Sequence, residues 1–234
     1  MKRITFPFIL AVHSYLKFSV SADSKLFYFG IYERDRNDDR FNGSINNLLP
    51  KFNLKQQITG WGHTQFGKFA NLEPEDMIRE AALAALTKAG LEPQDIEGIF
   101  IGHFNGGFLK QDFSASLAAP AVPEFRHVPA VRLENACATG SAAVWAALDA
   151  VESGRLNRDL VLGNEKMNTL TSVEIGETLL RCSYVREEGD TVGGFAGVFG
   201  TIASEYFERF GDQSDALAMI AAKNHNNGTE NPFA

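Results

Sequence analysis

Residues 134–150 read ENACATGSAAVWAALDA, and Cys137 stands where a strand-like run gives way to an alanine-rich one. The pattern predicts that a strand delivers this thiol to the first turn of a helix, where unpaired backbone N–H groups and the helix dipole favour an anion. Such a position increases the thiolate fraction. The small residues Thr139, Gly140 and Ser141 let a substrate or another backbone approach closely. Because free cysteines are commonly buried, the residues alone leave a nucleophile and an inert core cysteine both open.

The predicted helix after Cys137 has small side chains on most of its sides. This suits a helix that is packed on several sides inside a protein rather than one lying on a surface. The alanines responsible are Ala138, Ala142, Ala143, Ala146, Ala147 and Ala150. The second cysteine, Cys182, has no comparable placement, and we interpret it as a packing residue.

Strand-like and helical segments alternate on both sides of this stretch. Pro74 at a first helical position, acidic residues beside it and Gly90 at the far end delimit one predicted helix. Short apolar runs predict strands at 58–62, 96–102, 130–136 and from residue 159, and further helices are predicted from Cys137 to residue 153, at 198–210 and at 214–225. Strands alternating with helices indicate an α/β layer with a mainly parallel sheet.

Composition and charge exclude several classes of function. The chain has 234 residues, of which 44% are hydrophobic and 22% charged, as in an ordinary globular protein. A net charge of −7 disfavours nonspecific attraction to nucleic acid or to an anionic membrane. The sequence contains no run of about 18 apolar residues, so we predict no membrane span. Two cysteines are too few for a disulfide scaffold and suit a reducing compartment, so we expect a cytoplasmic protein that binds no nucleic acid.

Residues 1–56 differ from the rest of the chain. They are rich in Phe and Tyr, then pass through the charged run ERDRNDDR at 33–40 into the polar run NGSINN at 42–47. Neither helical periodicity nor clean alternation is sustained there. Two interpretations stay open, a poorly packed extension and an upstream region translated outside its proper frame. We therefore predict an extension of uncertain order without a recognised domain at 1–56; residues 57–234 belong to a domain that the resemblance described below implies is incomplete.

Other candidate sites fail on their spacing. The stretch GHTQFGKF at 62–69 has the glycines and lysine of a phosphate-binding loop, but Phe69 stands where the magnesium-binding hydroxyl belongs, so a turn is the better interpretation. The glycines of 102–108 and 193–200 lack the dinucleotide-binding fingerprint. No Cys/His spacing predicts a metal site. The isolated histidines of this part of the chain are His63, His103, His127 and His225.

Residues 137–143, CATGSAA, resemble the nucleophile segment of thiolases, in which a cysteine is followed by small residues at the start of a buried central helix. Three further segments fall in the order found in thiolases: ITGWGHTQFGKF, GIFIGHFNGGF and LVLGNEKMN. EEGDTVGGFAGVFG and AAKNHNNGTENPFA are similar to the sterol-carrier-protein type of thiolase, which is often labelled acetyl-CoA acetyltransferase. The resemblance runs from about residue 58 to residue 234, and it favours the nucleophile interpretation of Cys137.

This resemblance implies acyl transfer through a covalent thioester. The Cys137 thiolate would attack the carbonyl carbon of an acyl-CoA, and the acyl group would then pass to a second thioester or to CoA. Amides at the helix start would stabilise the oxyanion of a tetrahedral intermediate. Coenzyme A thioesters are then substrates, no cofactor is permanently bound, no metal is needed, and the complete protein is a homo-oligomer.

The resemblance also implies a substrate cavity. In thiolases the loops after the second and fourth strands help to shape it, and this gives five candidate substrate-binding residues: Asn105, Gly106, Gly107, Glu165 and Met167. His225 matches a different family stretch and is given no chemistry.

A thiolase has two similar halves with the nucleophile helix between their sheets, and this chain ends inside the first half, before that half's last strand. We therefore expect an incomplete portion of a thiolase in which one face of the nucleophile helix is bare. Such a chain is expected to be marginally stable or to associate with itself. It is also expected to be inactive alone, because the thiolate lacks its proton-transfer partner.

Two other functions stay open. The first is a non-catalytic thiolase-like subunit or scaffold that binds CoA thioesters. The second is a condensing enzyme, such as a ketoacyl or hydroxymethylglutaryl synthase, which also uses a cysteine at a helix start. The segments EKMN and KNHNNG favour the thiolase branch over this second alternative.

Overall fold

The computed structural model describes residues 30–34 and 56–234, which form one five-stranded sheet and seven α-helices. The strands are β1 Gly30–Arg34, β2 Gln56–Gly60, β3 Gly98–Gly102, β4 Ala130–Leu133 and β5 Arg158–Gly163. The helices are α1 Pro74–Ala89, α2 Ala118–Ala121, α3 Thr139–Glu152, α4 Ser172–Leu180, α5 Val185–Glu188, α6 Gly194–Phe210 and α7 Ser214–Thr229. Four short 3₁₀ turns lie between them.

The strand order across the sheet is β2-β1-β5-β3-β4. β3 pairs in parallel with β4 and with β5, placing Ile101 opposite Arg132 on one side and Leu162 on the other. β1 runs antiparallel to both of its neighbours, β2 and β5. The predicted α/β layer with a mainly parallel sheet is confirmed, since β3 and its two neighbours, β4 and β5, are parallel.

β3 divides the core between the two faces of the sheet. Alternate side chains of a strand point to opposite faces. Ile99 and Ile101 pack with α1 and α2, whereas Phe100 packs with Ala143 and Ala147 of α3. The alanine-rich helix thus lies on one face and α1 on the other, and the sheet is buried between them.

The predicted helix between Pro74 and Gly90 is confirmed as α1. Pro74 is its first residue, the Glu73 and Asp76 side chains form a capping box, and Gly90 ends the helix in the left-handed region with φ 67°. α1 packs very close to the chain that leaves β2. A Cβ on Gly60 would lie 2.3 Å from the Ala85 carbonyl oxygen, and one on Gly62 would lie 2.1 Å from that of Ala81. Only glycine permits this approach.

Several predicted boundaries differ from the observed ones. The strand predicted at 58–62 is observed at Gln56–Gly60, because the glycine-rich residues that follow lie against α1. The strand predicted at 130–136 ends at Leu133, where the chain turns before α3. α6 begins four residues before the predicted start, and α7 extends to Thr229. The helices α2, α4 and α5 were not predicted.

Residues 1–56 supply one strand of the sheet. Gly30–Arg34 form β1, within a segment for which the sequence predicts no recognised domain. The remaining predictions for residues 1–29 and 35–55 lie outside the described residues. Within the described part of the chain, no helix is long and apolar enough to cross a membrane.

Candidate active site

Cys137 lies in a short turn between the end of β4 and the start of α3. Residues Ala136–Ala138 form a 3₁₀ turn, and α3 begins at Thr139. The thiol is free and its residue is exposed. Within the described part of the chain, Cys137 is therefore not buried in the core, as the alternative interpretation expects, and its role as a nucleophile stays a prediction.

The turn that carries Cys137 is held in an uncommon conformation. Ala136 has φ 46°, which is rare for a residue with a side chain. Its amide donates to the Glu134 carboxylate. The Thr139 hydroxyl accepts from the Asn135 amide at 2.8 Å and donates to the Ala136 carbonyl oxygen at 2.7 Å. These bonds on both sides of Cys137 offset the backbone strain and fix the direction in which the thiol is presented.

A second loop, residues 103–109, follows β3 and faces the same end of the sheet. Asn105, Gly106 and Gly107 all have positive φ, at 56°, 56° and 110°. Asparagine tolerates this region because its side chain bonds locally, and here its carbonyl oxygen accepts from the Leu109 amide at 2.8 Å. At Gly106 a Cβ would lie 2.5 Å from the Phe104 ring, so another residue would have to displace that ring as well as adopt a strained φ.

Glu165 holds this loop against the end of β5. Its carboxylate accepts from the Phe104 amide at 3.0 Å and from the Asn105 amide at 3.3 Å. His103 is buried beside it, with Nε2 3.4 Å from a Glu165 oxygen but without hydrogen-bond geometry to it. His103 and Glu165 are therefore close neighbours that share no hydrogen bond. In this structure Glu165 acts on the loop backbone.

Arg132 joins β4 to the same loop. Its guanidinium donates to the His103 carbonyl oxygen at 2.9 Å and to that of Phe104 at 2.8 Å. It also pairs with Asp112, and this guanidinium hydrogen bond, together with one from Asn105, holds the pKa of the Asp112 carboxyl below its usual value. A single arginine therefore ties the start of the loop to Asp112, which follows the loop in the chain.

A cavity of about 490 Å³ lies between this loop and the end of β4. Its lining residues are Phe104, Asn105, Gly106, Gly107, Leu109, Asp112, Arg132 and Glu134. Three predicted substrate-binding residues, Asn105, Gly106 and Gly107, thus line one open cavity. Glu165 lies behind the loop, Met167 is half-buried after β5, and neither belongs to the cavity wall. Cys137 also lies outside that wall, although the wall residue Glu134 bonds the turn that carries it.

Cys182 lies nearer to this site than the sequence indicates. It is a free, half-buried thiol just after α4. Burial raises its pKa, and the nearby acidic groups of Cys137, Glu134 and Glu165 add to the increase. Its interpretation as a packing residue therefore omits its electrostatic contact with the candidate site.

Sequence reasoning missed the charged residues around the cavity. Arg132 and Glu134 are two positions apart in the strand-like run VRLEN, so a period of two places them on one side of the chain. That spacing was a usable signal. Asp112 and His103 gave no comparable signal, because their contacts depend on how the loop folds. Among the described residues, no group of three or more His, Cys, Asp or Glu side chains is arranged to hold a metal ion.

The family model and the similar proteins of known sequence agree on one family. Residues 57–234 match the family model described as thiolase, N-terminal domain. The acetyl-CoA acetyltransferase of Methanothermobacter thermautotrophicus is 30% identical over 178 residues, which are 76% of this chain and 46% of that protein. Sterol carrier protein 2 of Gallus gallus is 26% identical over 189 residues, covering 76% of this chain and 33% of that protein. The chain spans less than half the length of either relative.

Among solved structures, 3-oxoacyl-[acyl-carrier-protein] synthase III from Aquifex aeolicus VF5 aligns with 60% of this chain and 44% of its own, at 20% identity and a TM-score of 0.39.

Proposed function

The chain belongs to the thiolase family, and we propose that it carries the nucleophile of an acyl-CoA C-acyltransferase of the acetyl-CoA acetyltransferase type. The observation that carries the proposal is the position of Cys137, an exposed thiol in a strained turn directly before α3. The relative named acetyl-CoA acetyltransferase, at 30% identity, supports the reaction class. The chain would be one portion of the complete enzyme, which we propose to be a homo-oligomer.

In the proposed first step, the Cys137 thiolate attacks the carbonyl carbon of an acyl-CoA. A carbon–sulfur bond forms as the carbonyl π electrons move to oxygen, giving a tetrahedral oxyanion. The oxyanion collapses, the bond to the CoA sulfur breaks, and the CoA thiolate leaves and takes a proton from water, which balances the proton that the Cys137 thiol released to water when its thiolate formed. The acyl group on Cys137 then passes to the α-carbon of a second thioester, after that carbon has lost a proton to a base, or to the thiolate of CoA. Either transfer breaks the carbon–sulfur bond to Cys137 and regenerates its thiolate.

The backbone around Cys137 is suited to the oxyanion. α3 has 14 residues, so the positive end of its dipole, and any first-turn amide that the preceding 3₁₀ turn leaves unbonded, would stabilise a negative oxygen beside Cys137. Donors that are already oriented stabilise charge without reorganising during the reaction. The coenzyme A thioester is the substrate, and the chemistry needs neither a permanently bound cofactor nor a metal ion.

We propose that the cavity beside Glu134 receives part of the acyl-CoA. Asn105, Gly106 and Gly107 would contact it directly, since they line the cavity. Glu165 would act as a positioning residue through the Phe104 and Asn105 amides. Met167 would contact the acyl group only if the chain after β5 shifts.

A proton acceptor for Cys137 is the missing part of the reaction. His103 is buried against Glu165, and His225 is exposed on α7. We therefore propose that the acceptor belongs to the further length that the relatives possess, and that the chain alone forms the cysteine thioester without turning over. A reducing cytoplasmic compartment would keep the thiol free.

One observation favours a second candidate, a non-catalytic subunit that binds CoA thioesters. The cavity wall does not include Cys137. A thioester could therefore occupy the cavity without reaching the thiol, and the chain would then serve as a scaffold.

Acylation of the full chain by acetyl-CoA separates these two functions. Intact-mass spectrometry should show one added acetyl group on the unmodified chain and on Cys182→Ala, and none on Cys137→Ala. The rate should exceed that of the urea-unfolded chain, in which both thiols react without any site. Equal acetylation of Cys137→Ala would overturn the nucleophile assignment. Saturable binding of acetyl-CoA without an adduct would support the scaffold instead.

A further inference from the structure

β1 occupies a place that the rest of the sheet leaves open. It lies between β2 and β5, antiparallel to both, and these two strands do not pair with each other. We propose that Gly30–Arg34 is a plug strand, a segment that fills a strand-shaped slot between β2 and β5 and closes a sheet which residues 57–234 cannot close. The slot is thus filled by a segment of the same chain, not by a second copy.

The slot follows from the match to the family and from the topology together. The matched residues begin at position 57, so β1 lies outside them although it lies inside their sheet. Without β1, the facing edges of β2 and β5 would be separated by two strand spacings, or about 9.5 Å. That distance is too long for backbone hydrogen bonds. Two rows of N–H and C=O groups would then lack partners within the layer.

Both faces of the slot are covered. α1 and α3 pack on opposite faces of the sheet, and each contacts β1. A strand in this place is therefore enclosed above, below and at both edges, so water is a poor substitute for its hydrogen bonds. Recognition of this kind acts through the backbone of an added strand, as when an extended segment completes a sheet in other proteins.

The register identifies which backbone groups the plug strand serves. Ile31 lies opposite Leu160 of β5, and Tyr32 lies opposite Ile58 of β2. An interior strand offers its amides alternately to its two neighbours, so each non-terminal residue of β1 has an N–H group in one ladder or the other. β5 continues directly into Glu165, which holds the loop of the cavity. The plug strand thus supports the candidate site from the far side of β5.

Proline substitution in the full chain tests the slot. Tyr32→Pro removes one ladder N–H group, and proline is excluded from the interior of a sheet. Hydrogen exchange followed by mass spectrometry should show amide exchange in β2 and β5 at least about tenfold faster, a change that corresponds to about 1.4 kcal/mol of lost protection. The β3–β4 ladder should be less affected. Asp212→Pro, in the loop between α6 and α7, is the matched control and should change neither region.

Unchanged exchange in β2 and β5 of Tyr32→Pro would overturn the plug strand. A second measurement keeps the test independent of folding losses. Glu33 and Arg158 are opposite each other in the register, so Glu33→Cys with Arg158→Cys should form a disulfide within one chain when a mild oxidant is added. Glu33→Cys with Glu208→Cys, on α6, is the control and should not.

The products of this crosslinking reaction show which strand occupies the slot between β2 and β5. A bond within one monomer, located by peptide mapping so that Cys137 and Cys182 are distinguished from the new pair, supports the proposal. A bond found only between two chains would overturn it and would assign the slot to the strand of a second copy. No bond at all would overturn it as well. Neither result depends on whether Cys137 is acylated.

Discussion

The sheet layer, residues 56–163, and the helical region, residues 172–229, are similarly rich in apolar residues, but they bury these residues to different extents. In the sheet layer, Ile99, Ile101 and Leu162 are buried between α1 and α3 on the two faces. In the helical region, the four helices α4 to α7 bury a single residue, Thr178. Helical periodicity therefore predicts that a helix forms, but not that its apolar face is covered.

The apolar side chains of the helical region stay open to solvent. Phe199, Ile202 and Phe210 of α6 are each more than half exposed, and so are Leu217 and Met219 of α7. Contiguous exposed apolar surface is uncommon on stable monomers. This agrees with the expectation of self-association, which stays a prediction.

The largest expected effect compares two isoleucines. Ile101→Ala removes a fully buried side chain from β3 and should lower the free energy of unfolding by about 3 kcal/mol, because a cavity is left in the core. Ile202→Ala, at a side chain 60% exposed on α6, should change it by about 0.5 kcal/mol or less. Urea unfolding of both variants measures the difference. Similar losses would show that α6 is as well packed as the sheet.

A smaller effect depends on pH and belongs to the sheet layer alone. Asp159 is fully buried at the start of β5 with no hydrogen-bond partner for its carboxylate, and burial, followed by the nearby charge of Glu97, raises its pKa from 3.8 to about 7. Because the folded chain holds this proton more tightly than the unfolded chain, the stabilisation is complete below about pH 4 and is lost as the pH rises through about 7.

Between about pH 5 and pH 8 this loss should reach about 2 kcal/mol. Asp159→Asn should remove that part of the pH dependence, whereas Asp149→Asn, on the exposed side of α3, should keep it. Urea midpoints across this pH range provide the measurement. A slope that persists in Asp159→Asn would assign it to another group.

The smallest expected effect concerns the N-terminal cap of α4, in the helical region. Thr171 caps α4, accepting from the Glu174 amide at 3.4 Å while the Glu174 carboxylate bonds back to it. Thr171→Ala should cost about 1 kcal/mol, seen as faster hydrogen exchange confined to α4. Thr201→Ala, inside α6, should cost less, since alanine favours a helix interior. Exchange that spreads into β3 would mean that the two regions unfold together.

The parts of the fold that sequence predicted well are those with a local cause. α1 carries its proline, its acidic first turn and its final glycine in the sequence, and β3 is a continuous apolar run because both of its faces are buried. β1 was missed because GIYER has neither an apolar run nor alternation. Its strand conformation depends on two distant neighbours.

The candidate site divides in the same way. Cys137 was predicted from the junction of a strand and a small-sided helix, which is a local feature. The cavity was predicted only as the position of a loop, since Arg132, Asp112 and Glu134 come together through the folding of residues 103–112. Which of these residues contact a substrate stays a prediction.

The outer side of α3 gives the chain an optical reporter. Trp145 and Trp61 are both about half exposed, but only Trp145 lies on the helix that Cys137 precedes; Trp61 lies under the Lys88 ammonium group. Any polypeptide that packs against the outer side of α3 would remove the Trp145 indole from water and shift its fluorescence towards the blue. The arrival of a covering partner would thus be visible in solution without a label.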